Sequence, residues 1–243
     1  ALLPPPPPPP YSVEIISPAS DKQVLRATPS PPVMIRETPS FYSKYVEPYL
    51  AANATAESLG WVYNCVDLTA ESERLLLNEE DFILNVDTKW KRHANCLTVP
   101  PRSWRDDPAT DLSDLYCLAI CKARGIRTIR DLRGSSHLPL LRRILSLGSS
   151  AIMEAYGVPL NQLRVFAHYI PQFYHFHVHF TRLHNDASCQ VERAHLLEDI
   201  IQNLEGDGEY YVKRTISYKL PVNDKLKVWI DERRREEEES SSE

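Results

Sequence analysis

The stretch HFHVHF, residues 175–180, places histidine at every second position, with Phe176, Val178 and Phe180 beside them. An extended chain sends successive side chains to opposite faces. On a strand, His175, His177 and His179 therefore share one face, and the apolar residues form a core face on the other. The imidazole face must line something polar. His168, in the preceding run QLRVFAHYI (162–170), adds a fourth imidazole; that run joins YHFHVHFTRL (174–183) through Pro171. Three kinds of chemistry fit the pattern. The first is a set of hydrogen-bonded structural histidines, against which three in register weigh. The second is a metal site, since imidazoles two apart can share one ion and three plus water make a catalytic zinc set. Against it, no Asp or Glu lies between Leu160 and Leu183. The third is a histidine nucleophile. Its second ring nitrogen would be held in one tautomer, and its neighbours would donate hydrogen bonds to an oxyanion and a leaving group. Histidine suits phosphorus chemistry because water can break the P–N bond it forms.

The 243 residues are 42% hydrophobic, enough for one core and a small accessory domain. A net charge of -5 excludes the global basic field of a non-specific nucleic-acid binder. No run reaches the roughly 18 apolar residues of a membrane span, and ALLPPPPPPP has no charged n-region or adequate h-region for a signal peptide. The absent initiator Met suggests a trimmed or partial chain. Cys65, Cys96, Cys117, Cys121 and Cys189 are scattered, and CLAIC finds no further metal ligands nearby, so they read as reduced thiols of a cytoplasmic or nuclear protein.

Pro4 to Pro10 read as a spacer or a ligand for proline-binding modules, with the spacer favoured. YSVEIISP (11–18) reads as a short strand, TPSPPV (28–33) breaks the chain, and the main domain is placed at 35–230. Within it SLGWVYNCV (58–66) is a helix or buried segment, DFILNV (81–86) a strand, and 93–111 a long surface loop. The periodicity predicts helices over 112–123, 137–156 and 191–205. Strands are expected at 162–170, 174–183 and 210–220, and a disordered charged tail at 231–243. The mixture reads as α+β. The basic run CKARGIRTIRDLR (121–133) is ordinarily a solvated, ion-paired face; an RNA track is the alternative.

His175-Phe176-His177-Val178-His179-Phe180 resembles the motif of the histidine-triad family of nucleotide hydrolases and transferases. More narrowly, HYIPQFYHFHVHFTRL (168–183) resembles the scavenger mRNA decapping enzymes. MIRETPSFY (34–42), WVYN (61–64), DTKW (87–90), DLYCLAICKARGIRTIRDL (114–132), HLPLLRRIL (137–145) and VERAHLLEDIIQNLE (191–205) look like the same family in the same order. The resemblance implies a histidine-triad fold with an antiparallel sheet packed with helices. It also implies hydrolysis of the 5′–5′ triphosphate of capped mRNA fragments or cap dinucleotide to 7-methyl-GMP and a nucleoside diphosphate, with no metal and no cofactor. By similarity His177 is the nucleophile, forming a covalent nucleotidyl-histidine. His175, His179 and His168 bind phosphate oxygens and help protonate the leaving group.

Trp61, which by its type alone is more often core, would stack on the cationic methylated base, as an indole face attracts a cation. Glu71 would accept hydrogen bonds from the guanine edge; by its context alone it is a solvated acid. Asp87 and Lys89 correspond to ligand-contacting positions, and Tyr116 is either a polar contact or a helix-packing tyrosine. Departures from the family pattern are Gln172 for serine and Phe173 for tyrosine, each losing a hydroxyl, and Thr88 for the leucine that walls the base opposite Trp61. Gln172 can still donate through its amide. Residues 93–111 look inserted. Only the last piece, 11–34, of the family's swapped N-terminal domain is expected, as a truncated dimerisation segment, so a homodimer is expected for the family and open for this chain. Two rival functions stand: a broader dinucleoside polyphosphate hydrolase and a non-catalytic cap-binding protein. No membrane association is expected, and the compartment would be cytoplasmic and nuclear.

Overall fold

The computed structural model describes residues 15–20, 23–24, 30–185 and 189–241, in two units that divide after Pro31. In the first unit the Ser20 N–H and hydroxyl both donate to Gln23 Oε1. Residues 15–18 form no strand; the polyproline run and residues 11–14 lie outside the described residues.

The second unit begins with β1 (Pro32–Glu37) and a helical run that ends in α1 (Glu47–Asn53). It continues through α2 (Gly60–Val66), β2 (Leu75–Asn78), β3 (Phe82–Val86), β4 (Tyr116–Cys121) and α3 (Gly134–Tyr156). Then come β5 (Leu163–His168), β6 (His177–Arg182), β7 (Ala194–Leu196), α4 (Leu197–Gly206), β8 (Ile216–Pro221) and α5 (Lys225–Ser240). A six-stranded sheet runs β2-β3-β4-β6-β5-β7, and β1 pairs with β8 in a separate ribbon. Every pairing is antiparallel. This is the expected α+β architecture. No described helix is long and apolar enough to cross a membrane.

The alternation in β6 sorts the two sides of the sheet. Val178 and Phe180 lie opposite Ala119 and Cys117, while His177 and His179 lie opposite Ile120 and Leu118. The first set belongs to the main core, which takes in Leu141, Ile144 and Ile152 of α3. α3 passes so close that a Cβ on Gly148 would sit 2.7 Å from Phe180 Cζ. The helix ends at Gly157, whose φ of 67° is the left-handed conformation of a C-cap. On the histidine side a smaller core forms, in which Leu59, Val62, Cys65 and Val66 pack with Ile83, Leu118 and Ile120. That packing docks α2 on the functional face.

Several expectations are corrected. Residues 112–123 are not a helix: only Leu112–Asp114 make a helical turn, and Tyr116–Cys121 are strand β4 with all six residues buried. A strand covered on both faces reads as an unbroken apolar run, which periodicity cannot separate from a helix. Residues 191–205 open with β7 before the helix starts at Leu197, and 210–220 divide into a turn of helix (Tyr210–Lys213) and β8. Residues 93–111 are not only surface. Trp104 is fully buried, donates Nε1–H to the Val99 carbonyl at 2.7 Å and stacks on His93 with ring centroids 4.3 Å apart. Residues 231–240 are helical rather than disordered, continuing α5. Asp224 caps its start, Trp229 donates to the Tyr45 carbonyl, and Glu237 takes both Lys44 Nζ and Tyr45 Oη at 2.7 Å.

In the basic run, Arg124 and Arg127 pair with Asp67 and Asp131. Arg130 is buried, so it belongs to no RNA track. Its Nη2 lies 2.7 Å from Glu37 Oε1, and its Nη1 donates to the Tyr211 and Arg214 carbonyls at 2.6 Å each. Tyr169 and Tyr218 both donate to the same carboxylate. Removing one partner of such a pair strands the other charge. Arg130→Met is expected to cost about 3–5 kcal/mol of stability, read by urea unfolding; a loss below about 1 kcal/mol would show that the pair does not hold the ribbon to the sheet.

Candidate active site

The polar face of β6 carries the site. His177 is 4% exposed, and its Nδ1 lies 2.7 Å from the His175 carbonyl. A carbonyl only accepts, so Nδ1 carries the proton. Burial holds the His177 pKa down to about 3, with the neighbouring cationic groups reinforcing it. The ring is neutral near pH 7, and its lone pair is on Nε2, the geometry a nucleophile requires.

His175 is anchored by its own Nε2, which donates to the Cys121 carbonyl at 2.6 Å, and by an edge contact to Tyr63 of α2. The sequence reading expects it to bind phosphate; of its two ring nitrogens, Nε2 is committed to the backbone. It acts on His177 through its carbonyl.

His179 receives a relay. Lys89 Nζ donates to Tyr116 Oη at 3.3 Å, and Tyr116 Oη lies 3.0 Å from His179 Nδ1. A lysine ammonium only donates, which leaves the tyrosine's own proton for Nδ1; in that tautomer Nδ1 accepts and Nε2 carries the N–H. That Nε2 is buried with no hydrogen-bond partner among the described residues. Burial, then His177 and His168, holds the His179 pKa well below its ordinary value. Buried donors are ordinarily satisfied, so this N–H is suited to an acceptor that arrives with a ligand. His168, at the end of β5, has its ring 4.4 Å from that of His179. The four predicted histidines thus converge.

Tyr116 joins them from strand β4, which disposes of its reading as a helix-packing residue. Asp87 accepts the Lys89 backbone N–H at 2.8 Å, a turn that presents the Lys89 side chain over the Tyr116 ring, 4.9 Å from its centroid. Trp61 is 48% exposed on α2. It touches Phe173 edge-on at 4.9 Å, and Phe173 in turn stacks on His177 at 4.0 Å and 15°. The Phe173 ring therefore spans from the indole to the central imidazole. Glu71 is exposed, with φ of 53°, 3.9 Å from Arg74; its charge reaches Cys65 of α2, a thiol held up to about 11 mainly by burial. Thr88 is exposed. Gln172 is exposed and lines a neighbouring cleft with Arg193.

Sequence reasoning missed Arg193, whose Nε donates to the Ile170 carbonyl at 3.1 Å and whose charge reaches His179. Its signal is hidden because the periodicity of VERAHLLEDI predicts one helix, whereas the arginine sits just before β7. Asn85 was missed as well: it is opposite Leu118 on β4, buried, with Oδ1 unpartnered among the described residues. Among the described residues no group of three or more His, Cys, Asp or Glu side chains is arranged to hold a metal ion.

Burial lowers the folded-state pKa of His175, His177 and His179. The unfolded chain, with ordinary histidine values near 6.5, binds protons first as pH falls, so this stabilisation is present above about pH 6.5 and is lost below it. Urea unfolding across pH 7.5 to 4.5 should show a falling midpoint below about 6.5, and His179→Asn should flatten that slope. An unchanged slope in the variant would mean His179 does not remain neutral in the fold.

Residues 60–195 match the family model described as "Scavenger mRNA decapping enzyme C-term binding". The chain is 38% identical over 239 residues to the m7GpppX diphosphatase of Bos taurus, covering 96% of this chain and 65% of that protein. It is 39% identical over 230 residues to that of Rattus norvegicus, covering 93% and 62%, and 37% identical over 230 residues to that of Homo sapiens, also 93% and 62%. The chain thus spans a little under two thirds of the length of these relatives. The matched region is more than half of the chain and contains the whole imidazole cluster, Trp61 and Lys89: the chain belongs to the scavenger mRNA decapping enzyme family.

Proposed function

We propose that this chain hydrolyses the 5′–5′ triphosphate of 7-methylguanosine-capped RNA fragments, releasing 7-methyl-GMP and a nucleoside diphosphate. The observation that carries the reading is the pairing of two neutral imidazoles. His177 keeps its Nε2 lone pair because Nδ1–H is bound to the His175 carbonyl, and His179 offers an Nε2–H with no acceptor. His177 Nε2 attacks the phosphorus next to methylguanosine. The P–O bond to the bridging oxygen breaks, and the nucleoside diphosphate leaves with that electron pair. His179 Nε2–H supplies a hydrogen bond to the phosphoryl oxygens, and His168, beside it, is placed to protonate the leaving oxygen. Water then attacks phosphorus, the P–N bond breaks with its electron pair returning to His177 Nε2, and the proton lost by the water replaces the one that His168 gave up.

The cap end is assigned to Trp61, whose exposed indole suits a base made cationic by 7-methylation, with Glu71 as acceptor for the guanine edge. Lys89 and Arg193 supply the positive charge that a triphosphate needs. Phe173 covers one face of the His177 ring, away from the in-plane direction along which Nε2 attacks. His177 Nδ1, His175 Nε2 and His179 Nδ1 are engaged with two backbone carbonyls and a hydroxyl, which supports a mechanism run by imidazoles alone. A homodimer, and action in the cytoplasm and nucleus, go with this reading as further proposals.

Product analysis on methylated cap dinucleotide tests it. His177→Asn should lower turnover at least about 10³-fold while cap binding persists, and a chelator should leave the wild type unchanged. Full activity in the variant removes His177 as the nucleophile; loss of activity in chelator points to a metallohydrolase; equal rates without the 7-methyl group point to a broader dinucleoside polyphosphate hydrolase; and binding with no turnover in the wild type makes the chain a cap-binding protein.

A further inference from the structure

Strand β3 is buried along its whole length, and all but one of its residues are apolar. The exception is Asn85. It is 6% exposed, and its Oδ1 has no hydrogen-bond partner among the described residues. Asparagine is a poor strand residue, and a buried amide oxygen without a donor destabilises the fold. An apolar side chain at this position would pack between Leu75 and Leu118, the residues paired with it on β2 and β4. Local rules of this kind are broken chiefly at functional sites.

The register says what the amide faces. Alternation puts Ile83 and Asn85 on one side of β3, and Ile83 belongs to the smaller core beneath α2. Leu118 lies opposite Asn85 on one flank and opposite His179 on the other, so the amide is on the imidazole face of the sheet. Two residues beyond Asn85, Asp87 forms the turn that presents Lys89. Across the other strand pair, Leu75 directly follows the turn that begins at Glu71. Asn85 is therefore bordered by the elements that carry Trp61, Glu71 and Lys89.

Those are the groups assigned to the methylated nucleoside. The guanine edge offers three N–H donors, one on N1 and two on the 2-amino group. A carboxylate such as that of Glu71 accepts two of them side by side, N1–H and the nearer amino N–H. The remaining amino N–H needs an acceptor of its own. We propose that Asn85 Oδ1 is that acceptor, and that it makes the site selective for a base carrying a 2-amino group. The assignment rests on the proposed function and names a residue that reads the base. A ligand with the amino group satisfies an oxygen that the fold leaves unpaired, and a ligand without it strands that oxygen, which is the physical source of the selectivity.

The test uses the full chain. Binding of 7-methylguanosine and 7-methylinosine monophosphates, which differ only in the 2-amino group, is followed by calorimetry, and hydrolysis of methylated cap dinucleotide is measured separately. The wild type should bind the guanosine form about tenfold more tightly or better. Asn85→Leu should lose about tenfold on that form and less than about twofold on the inosine form, so that the preference disappears. Asn85→Val, with a smaller side chain, should give the same pattern. Without ligand, neither variant should melt below the wild type, because each removes an unpaired buried acceptor. A lowered melting temperature in both variants assigns the amide to the fold. A wild type without preference, a preference kept by both variants, or equal losses on both nucleotides removes Asn85 from the base. A loss on 7-methylguanosine monophosphate that vanishes with its 2′-deoxy form assigns the amide to the ribose. Each of these results overturns the proposal, and cleavage of methylated cap dinucleotide by the wild type leaves the cap reading standing beside it. If the wild type neither binds the methylated nucleotides nor cleaves the dinucleotide, the cap reading fails and the Asn85 assignment falls with it.

Discussion

Arg130 and Glu37 form a charge pair almost without access to water, and much of the second unit is arranged to make that tolerable. Desolvating two ions costs several kcal/mol each unless every remaining donor and lone pair is satisfied. Here they are. Arg130 reaches Glu37 and the Tyr211 and Arg214 carbonyls, and Tyr169 and Tyr218 close on the carboxylate. These contacts come from β1, β8, the turn at 129–131 and the residue after His168. One pair thus fastens the β1–β8 ribbon to the large sheet beside the imidazole cluster. Tyr169 follows His168 directly, so the placement of that imidazole depends on a network made for another reason.

The cluster itself works by keeping charge off the rings. Burial disfavours imidazolium, and each histidine then needs a partner that selects a tautomer rather than a charge. A backbone carbonyl does this for His177 and for His175, and a lysine–tyrosine relay does it for His179. The outcome is asymmetric. One ring presents a lone pair and its neighbour presents a proton, although the residues are chemically identical and only two positions apart. The Phe face of the same strand supplies the rigidity, since Phe180 is clamped against Gly148 of α3 and cannot shift without moving the helix.

Much of this was legible in the chain. The alternation of HFHVHF predicted the strand and its two faces from His177 on, with His175 and Phe176 just before β6, and the ordered series of motifs placed Trp61, Lys89 and His168 in the same family frame. The misreadings share a cause. Tyr116–Cys121 lies on a central strand covered on both sides, and such a strand erases the alternation that would identify it. Residues 231–240 look like a solvated tail by composition, yet they continue a capped helix that Glu237 ties to Lys44 and Tyr45, nearly two hundred residues earlier. Arg193 was hidden for a related reason: β7 is three residues long, and a helix follows it at once.

By itself, the sequence determined the chemistry available: four imidazoles, one strand period that puts His177 and His179 on a single face of β6, and a tryptophan and a lysine in the right order along the chain. These are local properties, set by residue type and by the two-residue repeat of an extended backbone. Which ring holds its proton on Nδ1, which turns Nδ1 toward a hydroxyl and which is anchored by Nε2 was decided only by tertiary structure. Those roles depend on a carbonyl at Cys121, a hydroxyl at Tyr116 and the removal of water from all three rings. Proton position in a buried imidazole is a property of its surroundings, and the surroundings come from strands and helices distant in sequence.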